Sequence, residues 1–299
     1  MPQRFGDGEF DPGKFRVFLA RAESLGFASV WTQEQVLGRF PQLAPTETMT
    51  YAAACTERIR IGCALYVSSL HNPVHLAKSL STLDQLSGGR LEIGLGTGGK
   101  QRPFAAFDAD PATFIARFTE GVRLMQACWT QPRITFDGRF WQVRDAGMEP
   151  KPFQKPFPPL WFGGGHPNAL RRAVHLGGGF FGAGSSTTAQ FRRQVSGLRT
   201  ILAEEGHDPS TFPVAKRVYV HVDEDHHRAQ QHVTEALAQI YDHMGTDLTP
   251  VAVFGHPDTC VQGVREVIDA GADLILFTPL HDEAAQMERA ATEIVPHVL

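Results

Sequence analysis

The sequence predicts an α/β protein of the (β/α)8 TIM-barrel class, folded as a single domain over residues 1–299. Three observations carry this expectation. Short apolar strands alternate with amphipathic helices along nearly the whole chain. The strands are apolar on both faces, as parallel strands covered by helices must be. A length of 299 residues suits one such barrel with insertions better than a smaller open, doubly wound sheet.

The first helix is announced by Asp11-Pro12, an N-cap followed by proline at the first helical position. Phe15, Phe18, Leu19, Ala22 and Leu25 then recur at helical spacing, and Gly26 stops the helix before strand 27–31. Helix 47–56 leads to strand 59–66, and helix 73–86 leads through Gly88-Gly89 to strand 91–96. Later strands fall at 160–163, 179–183, 214–222 and 273–277, with helices at 168–176, 188–205, 225–243 and 257–270. This makes seven strands. The eighth is expected ahead of the first helix, where only residues 1–5 are available. Either that strand is rudimentary, or it is truncated and leaves unpaired edges beside the barrel mouth.

Residues 131–159 interrupt the rhythm. Residues 134–141 read as two alternating runs around Asp137-Gly138, a hairpin signal, and a proline-rich stretch at 150–159 follows. Such an insertion is either a lid over the mouth or a decoration.

Composition narrows the function classes. A chain 42% hydrophobic and 20% charged is neither disordered nor fibrous. A formal charge of -4 argues against a basic nucleic-acid footprint. No run of about 18 apolar residues is present, so no membrane span is expected. Met1-Pro2-Gln3-Arg4-Phe5 has no apolar signal-peptide core, so the cytoplasm is the expected location. Cys55, Cys63, Cys128 and Cys260 lie far apart and read as free thiols.

Several motifs bear on chemistry. Gly94-Leu95-Gly96-Thr97-Gly98-Gly99 satisfies the dinucleotide fingerprint GxGxxG, but Lys100-Gln101-Arg102-Pro103 follows where a helix should open. A glycine-lined strand end that lets a flat ring approach the backbone fits better. Gly163-Gly164-Gly165-His166-Pro167 is a strand, a glycine turn and a helix start, which suits a phosphate group. Gly184-Ser185-Ser186 repeats the arrangement one unit later with added hydroxyl donors. Among 13 histidines there is no HxH strand end and no HExxH helix, and no metal is expected. His226, His227 and His232 read as solvated. No GxSxG elbow is present.

Thr56-Glu57-Arg58-Ile59-Arg60-Ile61-Gly62, then His71-Asn72-Pro73-Val74-His75-Leu76-Ala77-Lys78, then the block from Leu83-Asp84-Gln85-Leu86-Ser87-Gly88-Gly89-Arg90 to Gly96-Thr97-Gly98, resemble the bacterial luciferase-like superfamily. The resemblance continues through Gly163-Gly164-Gly165-His166-Pro167-Asn168 to Gly255-His256-Pro257-Asp258 and Ala270-Gly271-Ala272-Asp273, almost the full chain. Within the superfamily it is most similar to the F420-dependent oxidoreductases.

The resemblance implies a barrel that binds coenzyme F420, or FMN, at its C-terminal mouth. Ring contacts would come from a bulged strand near Cys63, often with a non-prolyl cis peptide, at Ala64, Leu65 and Tyr66, and from Gly96 and Thr97. Phosphate contacts carry over to Gly163, Gly164, Gly165, His166, Gly184, Ser185 and Ser186. Many relatives carry Asp-His or Glu-His after the second strand, whereas this chain has Glu34-Gln35, and glutamine cannot exchange a proton near neutral pH. Sugar-phosphate dehydrogenating relatives carry a glutamate after the Gly-Thr-Gly turn, where Gly99 stands here. Relatives also often place an acidic residue at Gly178.

The expected function is hydride transfer between the deazaflavin and a small organic substrate, with Glu34, Gln35 and His71 as the catalytic candidates. Lys100 and Arg102 are candidates to attract an anionic group. Two other readings stay open: an FMNH2-dependent monooxygenase served by a reductase partner, and a cofactor-binding protein without catalysis. A homodimer is what the resemblance implies.

Overall fold

A computed structural model describes all residues except 6–8, 39, 99–103, 242–244 and 246. Its contacts divide the chain into two compact units, Met1–Phe162 with His175–Gly178, and Gly163–Val174 with Gly179–Leu299. The elements follow the (β/α)8 alternation.

In the first unit, α1 (Pro12–Ser24) is capped by Asp11, whose carboxylate accepts from the Gly13 and Lys14 N–H groups. It buries Phe15, Leu19 and Ala22, one face of the helix at i, i+4 and i+7. Then come β1 (Ser29–Thr32), α2 (Pro45–Cys55), β2 (Arg60–Val67), α3 (Pro73–Leu86), β3 (Leu91–Gly96) and α4 (Phe114–Thr130). The hairpin β4 (Ile134–Asp137) and β5 (Gln142–Ala146) precedes β6 (Leu160–Gly163). Strands β1, β2, β3 and β6 pair in that order, all parallel.

Among the described residues no strand precedes α1, and the eighth parallel strand lies elsewhere. Residues 1–5 are tied down as an irregular segment. The Met1 amine donates to the Trp31 carbonyl at 3.0 Å, and the Gln3 side chain donates to the carbonyls of Gln33 and Leu43. The hairpin is also built differently from the sequence expectation. The second run does not start at Arg139, because the turn winds around the Glu120 carboxylate of α4. That carboxylate accepts from the N–H groups of Arg139, Phe140 and Trp141. A Cβ on Gly138 would fall 2.1 Å from Glu120 Oε1. The proline-rich stretch that follows runs along α3, where Ser81 Oγ donates to the Pro150 carbonyl and Gln85 Nε2 to that of Lys151.

The resemblance to a bulged strand is realised in β2. Its register against β3 shifts between Cys63 and Tyr66, and the Ala64–Leu65 peptide is cis. This bulge explains the glycines of β3. A Cβ on Gly94 would lie 2.2 Å from the Cys63 carbonyl oxygen, and one on Gly96 would lie 3.1 Å from Leu65 Cδ1. The space is taken by the chain's own backbone and side chain. Gly94→Ala is therefore expected to destabilise the protein by about 2–3 kcal/mol through overpacking. Gly197→Ala is the matched control. Gly197 lies within a helix with nothing within 4 Å of a new Cβ, and the change should stabilise by about 0.5–1 kcal/mol. Urea midpoints of the two variants check both signs.

In the second unit, α5 (Pro167–His175), β7 (Gly179–Gly182), α6 (Thr188–Glu204), β8 (Val214–Val222) and α7 (His226–Ile240) follow in order. They are succeeded by β9 (Val253–Gly255), α8 (Pro257–Asp269), β10 (Leu274–Pro279) and α9 (Glu283–Arg289). β8 pairs parallel with β7, β9 and β10. The three-residue β9 is the strand the sequence did not reveal, and α9 was likewise unmarked. Phe180, Phe191, Val195, Leu198, Val214 and Val218 form the core between sheet and helices. α6 opens with a full capping box in which Thr187 and Gln190 satisfy each other's backbone N–H groups.

Candidate functional site

In the first unit, side chains from the C-terminal ends of three consecutive strands meet, the end at which barrels carry their sites. Glu34 lies two residues past β1 and is buried, at 7% exposure. One carboxylate oxygen accepts from the Val67 N–H at 2.6 Å, and the other is 2.7 Å from His71 Nε2. His71 sits there because β2 ends in a short 3-10 turn, Ser68–Leu70, and Asn72 then caps α3. The imidazole stands edge-on to Tyr66, with ring centres 5.9 Å apart. Tyr66 is wholly buried and bonds the Thr46 hydroxyl at 2.8 Å; burial holds its phenol well above the usual tyrosine range. Ser69 Oγ donates to the Thr97 carbonyl at 2.9 Å, linking the ends of β2 and β3.

Of the three catalytic candidates, the structure brings Glu34 and His71 together and leaves Gln35 apart. The Gln35 side chain folds back over its own loop, and a Cβ on Gly38 would sit 1.3 Å from its amide nitrogen. An imidazole therefore does stand beside Glu34, supplied by the loop after β2. A carboxylate accepts and cannot donate, so Nε2 of His71 donates to Glu34 and Nδ1 is the ring nitrogen left free of it. The Ser68 hydroxyl is buried without a hydrogen-bond partner among the described residues. Gly99, Lys100 and Arg102 lie outside the described residues.

In the second unit, the two glycine turns approach one cavity of about 600 Å3. Of the sequence candidates, Gly165, Ser185 and Ser186 line it. Gly163, Gly164, His166 and Gly184 do not line it but shape the turns. Gly164 has φ +107 and leaves 3.0 Å for the Ala169 methyl, while a Cβ on Gly184 would strike the Tyr219 ring at 2.6 Å. His166 caps α5, its Nδ1 accepting from the Asn168 N–H at 3.2 Å. Sequence reasoning missed Gln190, Arg193 and Gln194, which line the cavity from the first turns of α6. Their i, i+3, i+4 spacing just past the Ser185-Ser186 turn was the available signal.

These residues fit a phosphorylated polyol. Two hydroxyls, the Arg193 guanidinium and the start of α5 offer donors and positive charge to an anion. Arg193 makes no ion pair among the described residues, whereas Arg171 on the far side is held by Glu204 at 3.3 Å. Gln194 projects over Gly165, where a Cβ would be 2.0 Å from its Nε2, and its Oε1 is buried without a partner. An unmet carbonyl oxygen beside the anion donors suits a ligand hydroxyl.

Lys216 of β8 supports this turn from behind. It is 2% exposed, and its ammonium donates to the carbonyls of Ala183 and Ser186, the latter at 2.9 Å. Burial, then the neighbouring Arg217, lowers its pKa to about 7. At the far end of β8, His232 of α7 is half-buried against His221, which corrects its reading as a solvated residue. His226 and His227 are exposed as expected.

The family described as luciferase-like monooxygenase matches residues 2–250. An F420-dependent glucose-6-phosphate dehydrogenase of Beutenbergia cavernae is 27% identical, over 97% of this chain and 94% of its own length. Among solved structures, a monooxygenase from Streptomyces bottropensis superposes with a TM-score of 0.85 at 23% identity, covering 98% of this chain and 97% of its own. An F420-dependent secondary alcohol dehydrogenase in complex with an F420–acetone adduct also gives 0.85, at 18% identity and 97% and 96% coverage. No described helix is long and apolar enough to cross a membrane.

Proposed function

The chain belongs to the luciferase-like monooxygenase family, and from that premise we propose that it is an F420-dependent oxidoreductase acting on a small organic alcohol, ketone or enone. The observation that carries this reading is the Glu34–His71 pair. F420, when bound, supplies or accepts the hydride. Oxidising an alcohol or reducing a carbonyl also requires a proton to be taken or given at the substrate, and His71 Nδ1 is the group available for it. Glu34 fixes the imidazole in one tautomer and orientation, and the Val67 N–H fixes Glu34 in turn. Ser185, Ser186, Gln190, Arg193 and Gln194 would hold the cofactor's phosphate and polyol chain. Glucose 6-phosphate is a poor candidate, because Gly99 stands where the dehydrogenating relatives of sugar phosphates carry a glutamate.

An FMNH2-dependent monooxygenase is the second reading, supported by the family's description as luciferase-like monooxygenase, and only that reading calls for a reductase partner. Fluorescence titration of the purified protein with F420 and, separately, FMN divides the two. We expect F420 to bind at least about tenfold tighter, a difference of about 1.4 kcal/mol. Preference for FMN would transfer the assignment to the monooxygenase. Binding of neither would sink the cofactor site itself, and binding without turnover on a panel of alcohols, ketones and enones would leave a carrier.

A further inference from the structure

We propose that His221, Asp223 and His232 form a binding site for one divalent transition-metal ion of the zinc, cobalt and nickel class. His221 and Asp223 stand two residues apart at the end of β8, and His232 lies on the second turn of α7. One ligand atom from each lies within 4.8 Å of the others. His221 Nε2 is 3.1 Å from His232 Nδ1 and 3.9 Å from Asp223 Oδ2. Ligand atoms of a tetrahedral zinc ion sit about 3.3 Å apart, so the imidazole pair already has ligand spacing, and the carboxylate oxygen, 3.9 Å from His221 Nε2, must close in by about half an ångström or more.

The donor set suits a metal of this class. His221 is 4% exposed, and the Asp223 carboxylate accepts from Arg228 and from the Asp225 N–H. Two imidazoles and a carboxylate favour a borderline ion over calcium or magnesium. His281 stacks on His232 at 4.7 Å and meets His221 edge-on at 6.1 Å, which limits ring rotation.

The opposing charge is Arg228, which grips both oxygens of Asp223. Its side chain is 56% exposed, and it can swing into solvent when a metal takes one of them. This competitor makes the proposal specific enough to test. Chelator-treated protein would be titrated with Co2+, followed by its visible ligand-field bands, and then with Zn2+ as displacer. We expect saturation at one Co2+ per chain, displacement by Zn2+, and a rise in Tm with Zn2+. His232→Gln should weaken binding by about a hundredfold or more, since even groups supporting a ligand cost up to about that much. His227→Gln removes an exposed histidine from the same helix and should leave binding unchanged. Arg228→Gln should tighten it. Equal binding by the His232→Gln protein, or weaker binding by Arg228→Gln, would overturn the site. So would the absence of one-to-one saturation in the unmodified chain.

Discussion

Replacing His71 by alanine in the F420-loaded protein is expected to lower kcat by about 10²–10⁴-fold, the usual contribution of a positioned acid or base. Cofactor affinity should be unchanged, because the residues assigned to the phosphate and polyol lie on other elements. The second half of this prediction is Glu34→Gln. The amide would still accept from the Val67 N–H, but its NH2 would face His71 Nε2 and force the imidazole proton onto Nδ1. The base would then point away from the substrate, so Glu34→Gln should lose nearly as much activity as His71→Ala while keeping the fold. A purely structural role predicts a different pattern, with lowered Tm and weakened cofactor binding. Retention of activity within a few-fold in His71→Ala would remove His71 from the reaction.

How much of this was legible in the sequence depended on the range of the interaction involved. Helix starts such as Asp11-Pro12 and Asn72-Pro73 were readable because a cap is a local hydrogen bond made within three residues. The glycines of β3 were visible as glycines, but their reason was not. Gly94 is required by the carbonyl of Cys63 on the neighbouring strand, 31 positions earlier, and no local pattern encodes that approach. The hairpin was located correctly and its turn misassigned for the same reason, since Glu120 lies on α4 and gathers three N–H groups from 19 to 21 residues away. The β9 strand has three residues, too few for any alternation to register. At the site, both Glu34 and His71 were singled out, but their pairing across 37 positions was not. The histidine looked for next to Glu34 in sequence is supplied by the following β/α loop instead. The Lys216 side chain was read only as part of a strand, because strand periodicity says which face a residue takes and nothing about which carbonyls await it.

Lys216 carries the second large expectation, in the pH dependence of stability. Its pKa is lowered from 10.5 to about 7 in the folded protein, chiefly by burial. Between those values the unfolded chain holds a proton that the folded chain does not, so stability rises as pH rises from about 7 towards 10.5. Below about pH 7 the cost of the buried ammonium is present in full. At about 1.4 kcal/mol per tenfold change in proton affinity, the upper bound on this gain is about 5 kcal/mol. The two carbonyl acceptors and the Phe191 ring, 5.8 Å from the ammonium, favour the charged form and make the observed gain smaller. Cys128 and Cys260 work in the opposite sense. Burial raises both thiols, Cys260 to about 12, so each favours the folded state less as pH climbs past 9. The difference between the unmodified protein and Lys216→Met isolates the lysine, because the cysteines are common to both. Urea unfolding at pH 7, 8 and 9 should show a stability gap that favours the methionine protein at pH 7 and closes as pH rises. Removing an unpaired buried charge in favour of an apolar chain of similar length is often stabilising. The same substitution frees the Ala183 and Ser186 carbonyls, so the turn bearing Ser185 and Ser186 should loosen and F420 should bind more weakly. A stability gap independent of pH would show that the ammonium is not desolvated as its burial requires. Unchanged F420 affinity would show instead that the turn holds its shape without Lys216.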